Sequence, residues 1–316
     1  MTLQVSKLSK RQGNHWLFRD VEFDVAPAEI FGIFGPNDSG KRQLLDLLTG
    51  AEKPNGGSIV IEGTEPSNRQ VHFYQSDSGG SVVSKLFGKQ TTKKYLDTDA
   101  LTAFIAKNEP RFLLLDDPFR NLDHNGREKL AVILRQAANT GSSVIFTSSN
   151  FEDMLEFADR VCVLTGGYVE QTATPQEIYD EPSSVAVAEV VGRGNLIEAR
   201  RLTSSKSDTP EYITINGEHR LFTRRTEKAA LGALNQNISL MIRPEQISIS
   251  FGASFPEDNL LKATVSAVKP MGATTRVELD CDGLHLEALV LRLVGLNIGE
   301  ECMVGLPPDR IIVLRA

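Results

Sequence analysis

The chain has 316 residues, a net charge of −7 and an apolar content of 41%, which is typical of a globular protein of two domains and, without a basic stripe, argues against a nucleic-acid partner. Its three cysteines are scattered and odd in number, which favours a reducing compartment over a disulfide framework or a zinc site. No apolar run approaches the roughly 18–20 residues of a membrane span, so we expect any membrane role to come through a partner.

The first 30 residues alternate weakly and predict two or three antiparallel strands. The next segment reads as a short apolar strand, a glycine-bounded loop and a helix. The loop and the first two helical residues are Gly35, Pro36, Asn37, Asp38, Ser39, Gly40, Lys41 and Arg42. The spacing Gly35-x4-Gly40-Lys41 is that of a loop whose main-chain N–H groups hold a phosphate at a helix N-terminus, with the lysine reaching the β- and γ-phosphates.

The residue after this lysine is unusual for such a loop. A serine or threonine is expected there, because its hydroxyl holds Mg²⁺. Arg42 cannot ligate a cation. The sequence therefore predicts a phosphate site that lacks its usual side-chain ligand for Mg²⁺.

Further along, strands are predicted at 58–63 and 71–75, a loop from Ser76 to about Asp99, and a helix at 99–107. The next apolar run, 112–115, ends in Asp116 and Asp117. A run buried on both faces suits a central parallel strand, and acids at its carboxyl end lie where open α/β sheets bind ligands.

The remaining elements of the first half follow the same α/β pattern. A helix after Asp123, a strand at 143–147, a helix at 151–157 and strands at 160–164 and 168–171 are predicted. The segment Thr174-Pro175-Gln176-Glu177 is a capping box with proline at the first helical position, so a helix begins there.

The segment Gly192–Asn195 reads as a domain boundary, which gives domains at 1–190 and 195–316. Beyond it, short strands with frequent turns predict a small barrel or sandwich, and the clearest hairpin turns at Cys281-Asp282-Gly283. Asn195-Leu196-Ile197 and Asn259-Leu260-Leu261 each open a strand, a weak sign that this domain is two related halves.

With these motifs in hand, residues 1 to about 185 resemble the ATP-binding subunit of an ABC transporter. Residues from about 195 onward, with Ile242-Arg243-Pro244-Glu245 as a recurrent segment, resemble the TOBE-like regulatory domain of importers for sugars, polyamines, iron, sulfate or phosphonates. The resemblance implies an α/β P-loop NTPase domain of the ABC type with a mixed sheet, followed by a small all-β (OB/TOBE-like) domain. It also implies ATP and Mg²⁺ as cofactors.

The resemblance assigns roles to single residues. Gln75 matches the glutamine that senses the γ-phosphate and metal, Asp116 the acid that holds Mg²⁺, and Asp123 the aspartate of the dimer loop. Asp117 stands where the family has a glutamate base, and Ser149 where it has a histidine. Gln12 replaces the aromatic residue that stacks on adenine, and Trp16 is the nearest candidate to take its place. Asp123 as a plain helix N-cap is an equal alternative.

Only 40 residues separate Gln75 from Asp116. Most of the helical subdomain that the family places there, including its Leu-Ser-Gly-Gly-Gln signature, is therefore expected to be absent. Leu86-Phe87-Gly88-Lys89-Gln90 is a faint echo of that signature, but it lies too far from Asp116.

These features lead to one main hypothesis and two alternatives. The main one is a cytoplasmic subunit of an importer, peripheral on the inner face of the membrane, with impaired or absent hydrolysis. It would act as a structural or regulatory partner of a permease, paired with itself or with an intact paralogue. For its nucleotide site, weak metal-independent ATP binding and no binding are both open. The alternatives are an active ATPase that energises uptake, and a dimerisation module whose C-terminal domain senses a small ligand.

Overall fold

The computed structural model describes residues 2–61, 71–74, 96–202, 210–223, 234–251, 258–291 and 295–314. Gln75 and Leu86–Gln90 lie outside these ranges, as does most of the predicted loop Ser76–Asp99. The chain divides into two compact units, Met1–Asp180 and Glu181–Ala316. The assignment of residues 1–190 and 195–316 to two domains stays a prediction.

The first unit alternates strands and helices. Its described strands are β1 (Leu3–Gln12), β2 (His15–Val25), β3 (Ile30–Phe34), β4 (Gly56–Ile61), β5 (Val71–Tyr74), β6 (Phe112–Asp116), β7 (Ser143–Ser148), β8 (Arg160–Thr165) and β9 (Tyr168–Ala173). Its described helices are α1 (Lys41–Leu48), α2 (Thr98–Asn108), α3 (His124–Asn139), α4 (Phe151–Phe157) and α5 (Pro175–Asp180).

A six-stranded mixed sheet forms the centre of this unit, in the order β5-β6-β7-β3-β8-β9. Its strands pair in parallel except for β9, which runs antiparallel to β8. Every residue of β3 and β7 is buried, as expected for strands covered on both faces. The carboxyl ends of β3, β6 and β7 therefore meet at one edge, where ligands of such sheets bind. A second sheet, β2-β1-β4, is antiparallel.

The predicted start of α5 is confirmed in its local chemistry. At α5 the carboxylate of Glu177 accepts from the main-chain N–H of Thr174 at 3.0 Å, and the hydroxyl of Thr174 accepts in return from the N–H of Glu177 at 3.3 Å. This reciprocal pair is the capping box that the sequence indicates. Among the described residues, no helix is long and apolar enough to cross a membrane.

The second unit consists mainly of strands. After α6 (Val185–Val191) come β10 (Asn195–Arg201), β11 (Glu211–Thr214), β12 (Arg220–Phe222), β13 (Asn237–Ile242), β14 (Ser248–Ser250), β15 (Asn259–Pro270), β16 (Thr274–Cys281), β17 (Leu284–Leu291), β18 (Glu301–Leu306) and β19 (Ile312–Leu314). Short 3₁₀ helices at Pro244–Gln246 and Pro308–Arg310 precede β14 and β19. The predicted hairpin is confirmed, with Cys281 paired to Leu284.

Two five-stranded sheets, β12-β11-β10-β13-β19 and β14-β18-β15-β16-β17, make up this unit. They are repeats of one pattern. A shift of 64 residues, which takes Asn195 to Asn259, also takes β13 to β18, Pro244–Gln246 to Pro308–Arg310, and β14 to β19. The two halves that the sequence hints at are therefore confirmed.

The two halves exchange their last strands. Strand β14 of the first half pairs with β18 of the second, with Ser248 opposite Gly305. Strand β19 of the second half pairs with β13 of the first, with Ile312 opposite Met241. Each sheet is thus completed by residues of the other half.

A buried asparagine opens each half and joins the two sheets. The side-chain amide of Asn195 donates to the carbonyl oxygens of Ile242 and Glu287 and accepts from the N–H of Glu287. That of Asn259 donates to the carbonyls of Leu306 and Phe222 and accepts from the N–H of Phe222. Each asparagine therefore makes three hydrogen bonds to main-chain groups.

Candidate functional site

The loop between β3 and α1 has the shape of an anion cradle. Asp38 and Gly40 both adopt left-handed conformations, with φ of 66° and 90°. The main-chain N–H groups of Asn37, Asp38, Gly40 and Lys41 donate to none of the described residues. Alternating left-handed residues that leave such groups open form concavities that bind anions, and the start of α1 adds positive potential.

Two glycines let this loop form. A Cβ at Gly35 would lie 2.2 Å from the carbonyl oxygen of Leu164, and one at Gly40 would lie 2.9 Å from the ring of Phe18. Both contacts are shorter than a side chain tolerates. The hydroxyl of Ser39 is buried in this loop and has no hydrogen-bond partner among the described residues.

The ammonium group of Lys41 lies inside the loop. It donates to the carbonyl oxygens of Gly35 and Pro36, each at 2.7 Å, and to the hydroxyl of Ser149 at 3.0 Å. Burial lowers the pKa of this amine, and the nearby carboxylates of Asp117, Asp116 and Asp38 oppose that effect. These three bonds use the three donors of an ammonium group, so a bound phosphate would exchange with them.

Arg42 points at the carboxylate that the resemblance assigns to Mg²⁺. Its guanidinium donates to Asp116 Oδ2 at 3.0 Å and lies 3.4 Å from Asp46. Its centre stands 4.5 Å from the ring centroid of Phe73 on β5. The other oxygen of Asp116 accepts from the hydroxyl of Thr147 at 2.7 Å.

Asp117 follows directly after β6 in a left-handed conformation, with φ of 47°. Its main-chain N–H donates to the hydroxyl of Thr147 at 3.0 Å, and its carboxylate lies 3.7 Å from Arg120. Burial raises the pKa of the Asp117 carboxyl above its usual value, although Arg120 acts to lower it. The hydroxyl of Thr147 thus bonds to the carboxylate of Asp116 and to the main chain of Asp117. Nothing in the sequence predicts this role.

Ser149 follows β7 and links two parts of the loop. It accepts from Lys41 and its hydroxyl donates to Asn37 Oδ1 at 3.1 Å. Beneath it, the carboxylate of Asp153 accepts from Ser148 and from Arg127, the latter at 2.7 Å. The buried carboxylate of Asp153 and the half-buried guanidinium of Arg127 thus fix the end of β7 against α4 and α3.

Trp16 lies on β2, next to the residues that contact the loop. Its neighbours Leu17 and Phe18 stand within 4 Å of a Cβ built at Gly40. The guanidinium centres of Arg11 and Arg19 lie 3.9 Å and 4.7 Å from the centroid of its ring. Stacking of Trp16 on a base stays a prediction, and a base on a ring face that an arginine covers would displace that arginine.

Asp123 is the N-cap of α3, where its carboxylate accepts from the main-chain N–H of Gly126 at 2.8 Å. Capping uses one oxygen, so the role in a dimer loop stays a prediction as well. The role of Gln75 also stays a prediction.

The described residues fit a phosphate better than a metal ion. The loop offers unpaired N–H groups and an ammonium group. At the metal position, by contrast, a guanidinium already occupies Asp116 and the usual hydroxyl ligand is absent. The described part of the chain contains no cluster of three or more histidine, cysteine or acidic residues that could hold a metal ion.

Two family models match the chain. Residues 18–98 match the ABC transporter model and residues 240–314 match the TOBE domain. The chain therefore carries an ABC transporter domain followed by a TOBE domain, and its first unit has the mixed-sheet P-loop fold.

Curated relatives match over nearly their whole length. The chain is 27% identical to a "Sulfate/thiosulfate import ATP-binding protein CysA" of Bacillus cereus, with 99% of this chain and 98% of the relative covered. It is 25% identical to a "Spermidine/putrescine import ATP-binding protein PotA" of Clostridioides difficile, with 99% and 97% covered. The alignment with the former spans 369 positions, so at least 53 of them have no counterpart in this chain of 316 residues.

Solved structures give a weaker likeness. One described as a nucleotide-free ATP-binding cassette from an ABC transporter has a TM-score of 0.49 and 15% identity, and covers 61% of this chain and 100% of its own.

Proposed function

We propose that this chain, which has an ABC transporter domain followed by a TOBE domain, serves an importer as a nucleotide-binding subunit with slow or absent hydrolysis. In this role it is a structural or regulatory partner of a membrane permease. It lies on the cytoplasmic face of the membrane and pairs with itself or with an intact paralogue.

The bond between Arg42 and Asp116 carries this proposal. In phosphoryl transfer, metal ions held by a Ser/Thr hydroxyl and an acid neutralise the charge that develops on the phosphates. Here the hydroxyl is missing and the acid is bound to a cation. Loss of a preorganised electrostatic group of this kind lowers the rate on the order of 10²–10³-fold.

The other two substitutions act in the same direction. Asp117 is one methylene shorter than a glutamate base, and a misplacement of about 1 Å lowers a rate on the order of 10²-fold. Ser149 is engaged with Lys41 and Asn37, at the position where the family has a histidine. Such effects are not additive, but none of them favours hydrolysis.

The comparisons support an importer as the setting. Both quoted relatives are named as import ATP-binding proteins.

The C-terminal domain is the proposed site for a small regulatory ligand. An open cavity of about 490 Å³, lined by Lys262, Asp280, Glu301 and their neighbours, supports this.

Phosphate release by the purified full-length chain tests the proposal. We expect a rate at least about 10²-fold below that of an intact family member assayed in parallel. The triple variant Arg42→Thr, Asp117→Glu and Ser149→His should raise the rate, and Arg135→Thr serves as a charge-matched control. Release by the native chain at the intact rate would support the active-ATPase alternative instead.

The partner is tested separately. The tagged native chain, extracted from the membranes of its own cells in mild detergent, should copurify with a permease subunit. Recovery of a homogeneous soluble protein without any integral membrane protein would contradict the proposed setting.

A further inference from the structure

We infer that Arg42 takes the place of the metal ion, so that this site selects a nucleoside triphosphate as the metal-free polyanion over its magnesium complex. The inference rests on the proposed function, because it assumes that the loop binds a nucleotide. It adds the chemical form of the ligand and the residue that determines it.

The guanidinium is held in place from three sides. It donates to Asp116 at the end of β6, lies 3.4 Å from Asp46 one turn along α1, and stacks on Phe73 of β5. Since β5 and β6 are neighbours, with Phe73 opposite Leu114, the contacts to Asp116 and Phe73 come from adjoining strands of one sheet, and the contact to Asp46 comes from α1 itself. The cation is therefore fixed beside the loop before any ligand arrives.

A magnesium ion would meet an unfavourable site. Magnesium prefers carboxylate, phosphate and water oxygens in a near-ideal octahedron. Both oxygens of Asp116 are already engaged, one by Arg42 and one by Thr147. An incoming dication would have to displace the guanidinium and would then be repelled by it and by Lys41.

The same site is more favourable for a triphosphate without a bound metal ion. Lys41 and Arg42 are consecutive, so two positive side chains start from the helix end that carries the open N–H groups. A guanidinium forms paired, charge-assisted hydrogen bonds to phosphate oxygens. Arg42 also compensates the charge of Asp116, the acid that would otherwise repel a phosphate chain unless a metal lay between them.

Calorimetric titration with ATP tests the inference on the full-length native chain. One titration is run in EDTA and one in excess MgCl₂, at matched ionic strength. We expect ATP to bind at least about tenfold more tightly in EDTA, which corresponds to about 1.4 kcal/mol.

Variants identify the residue responsible. Arg42→Ser supplies the hydroxyl and removes the charge, so its preference should invert in favour of MgCl₂. Arg42→Lys keeps the charge and should retain a reduced preference for EDTA. Arg135→Ser removes an equal charge from an exposed pair with Asp159 on the same unit and should behave as the native chain does. Circular dichroism and melting curves establish that each variant is folded.

The outcomes separate this inference from the proposed function. A native chain that binds ATP equally well or better with Mg²⁺ overturns the inference, and so does one that binds ATP in neither buffer. The first result leaves the proposed function, a nucleotide-binding subunit with slow or absent hydrolysis, intact. The second also removes nucleotide binding from the proposed function and leaves a structural partner of the permease. Slow or absent hydrolysis itself is contradicted in the phosphate-release assay.

Discussion

The guanidinium of Arg42 and the carboxylate of Asp116 meet at 3.0 Å although 74 positions separate them in the chain. The pair connects the start of α1 to the end of β6. Both side chains are about one-third exposed, at 37% and 31%, so the bond contributes little to stability. Its main effect is that Arg42 neutralises the charge of Asp116 next to the phosphate loop.

Replacement of Asp116 by asparagine should separate these two effects. The change removes a negative charge next to the phosphate position and releases Arg42 toward the ligand. We therefore expect ATP in EDTA to bind about three- to tenfold more tightly, with a melting temperature within about 2 °C of native. Asp309→Asn, an exposed change in the second unit, is the control. Weaker binding by Asp116→Asn would show that Arg42 does not reach the ligand.

The Asp117 carboxyl predicts a pH-dependent change in stability. Burial raises its pKa in the folded protein, so the folded state holds this proton more tightly than the unfolded chain does. Ionisation therefore destabilises the fold: the loss begins near pH 4, where the unfolded group titrates, and is complete above the raised pKa. Asp117→Asn avoids the charge, and its melting temperature at pH 7.5 should be about 1–3 °C above native.

This gain should disappear below about pH 4, where the native carboxyl is protonated in both states. Thermal melts of the native chain and of Asp117→Asn across pH 3.5–8 measure the difference. A gain that is constant over this range would assign the effect to packing and not to ionisation.

Trp16 is the one tryptophan of the chain, so its fluorescence reports on a bound base. Stacking of a base on an aromatic ring is worth about 1–3 kcal/mol, whereas an exposed cation–π contact is worth about 0.5–1 kcal/mol. A base should therefore displace Arg11 or Arg19 from the ring. We expect ATP in EDTA to change the emission of Trp16, and inorganic triphosphate, which has no base, to leave it unchanged.

Trp16→Ala should then weaken ATP binding about fivefold or more, while the affinity for triphosphate stays at the native value. An emission spectrum that ATP does not alter at saturation would place the base elsewhere.

The two buried asparagines of the second unit, Asn195 and Asn259, should contribute equally to the free energy of unfolding. Asn195→Ala and Asn259→Ala each leave two main-chain carbonyls and one N–H without their side-chain partner in a buried place. We expect each to lower the free energy of unfolding by about 1–3 kcal/mol, measured in urea. Asn297→Ala, at an exposed turn, should change it by less than about 0.5 kcal/mol. Values for the two buried sites that differ several-fold would argue against an equivalent role.

Local chemistry explains which parts of the site the sequence predicts. The loop from Gly35 to Lys41 and the acids that end β6 follow from spacing and from the buried run of apolar residues. The partner of Arg42 could not be predicted, because it depends on how β5, β6 and α1 come together. The same is true of Thr147, which reads as one more residue of a buried strand until its hydroxyl is seen between Asp116 and Asp117.

For the fold, too, the sequence predicts some elements and misses others. The hairpin at Cys281–Leu284 is predicted by alternation and turn residues. Helix α6 is missed, because its seven residues are mostly valine and alanine, which carry little periodic signal, and its cap, Ser184, is a single short side chain. Few residues are identical between positions 64 apart in the two halves. The repeat is therefore clear from the bounds of the strands but only weakly indicated by the sequence.

The exchange of β14 and β19 makes the halves of the second unit mutually dependent for folding. Residues 312–314 complete the sheet that begins at residue 195, so without β19 the strand β13 keeps only β10 as a neighbour in that sheet. The sheet that holds the first strand of the first half therefore cannot be completed during synthesis until residue 314 has been added, and the other sheet cannot be completed until residue 306 has been added.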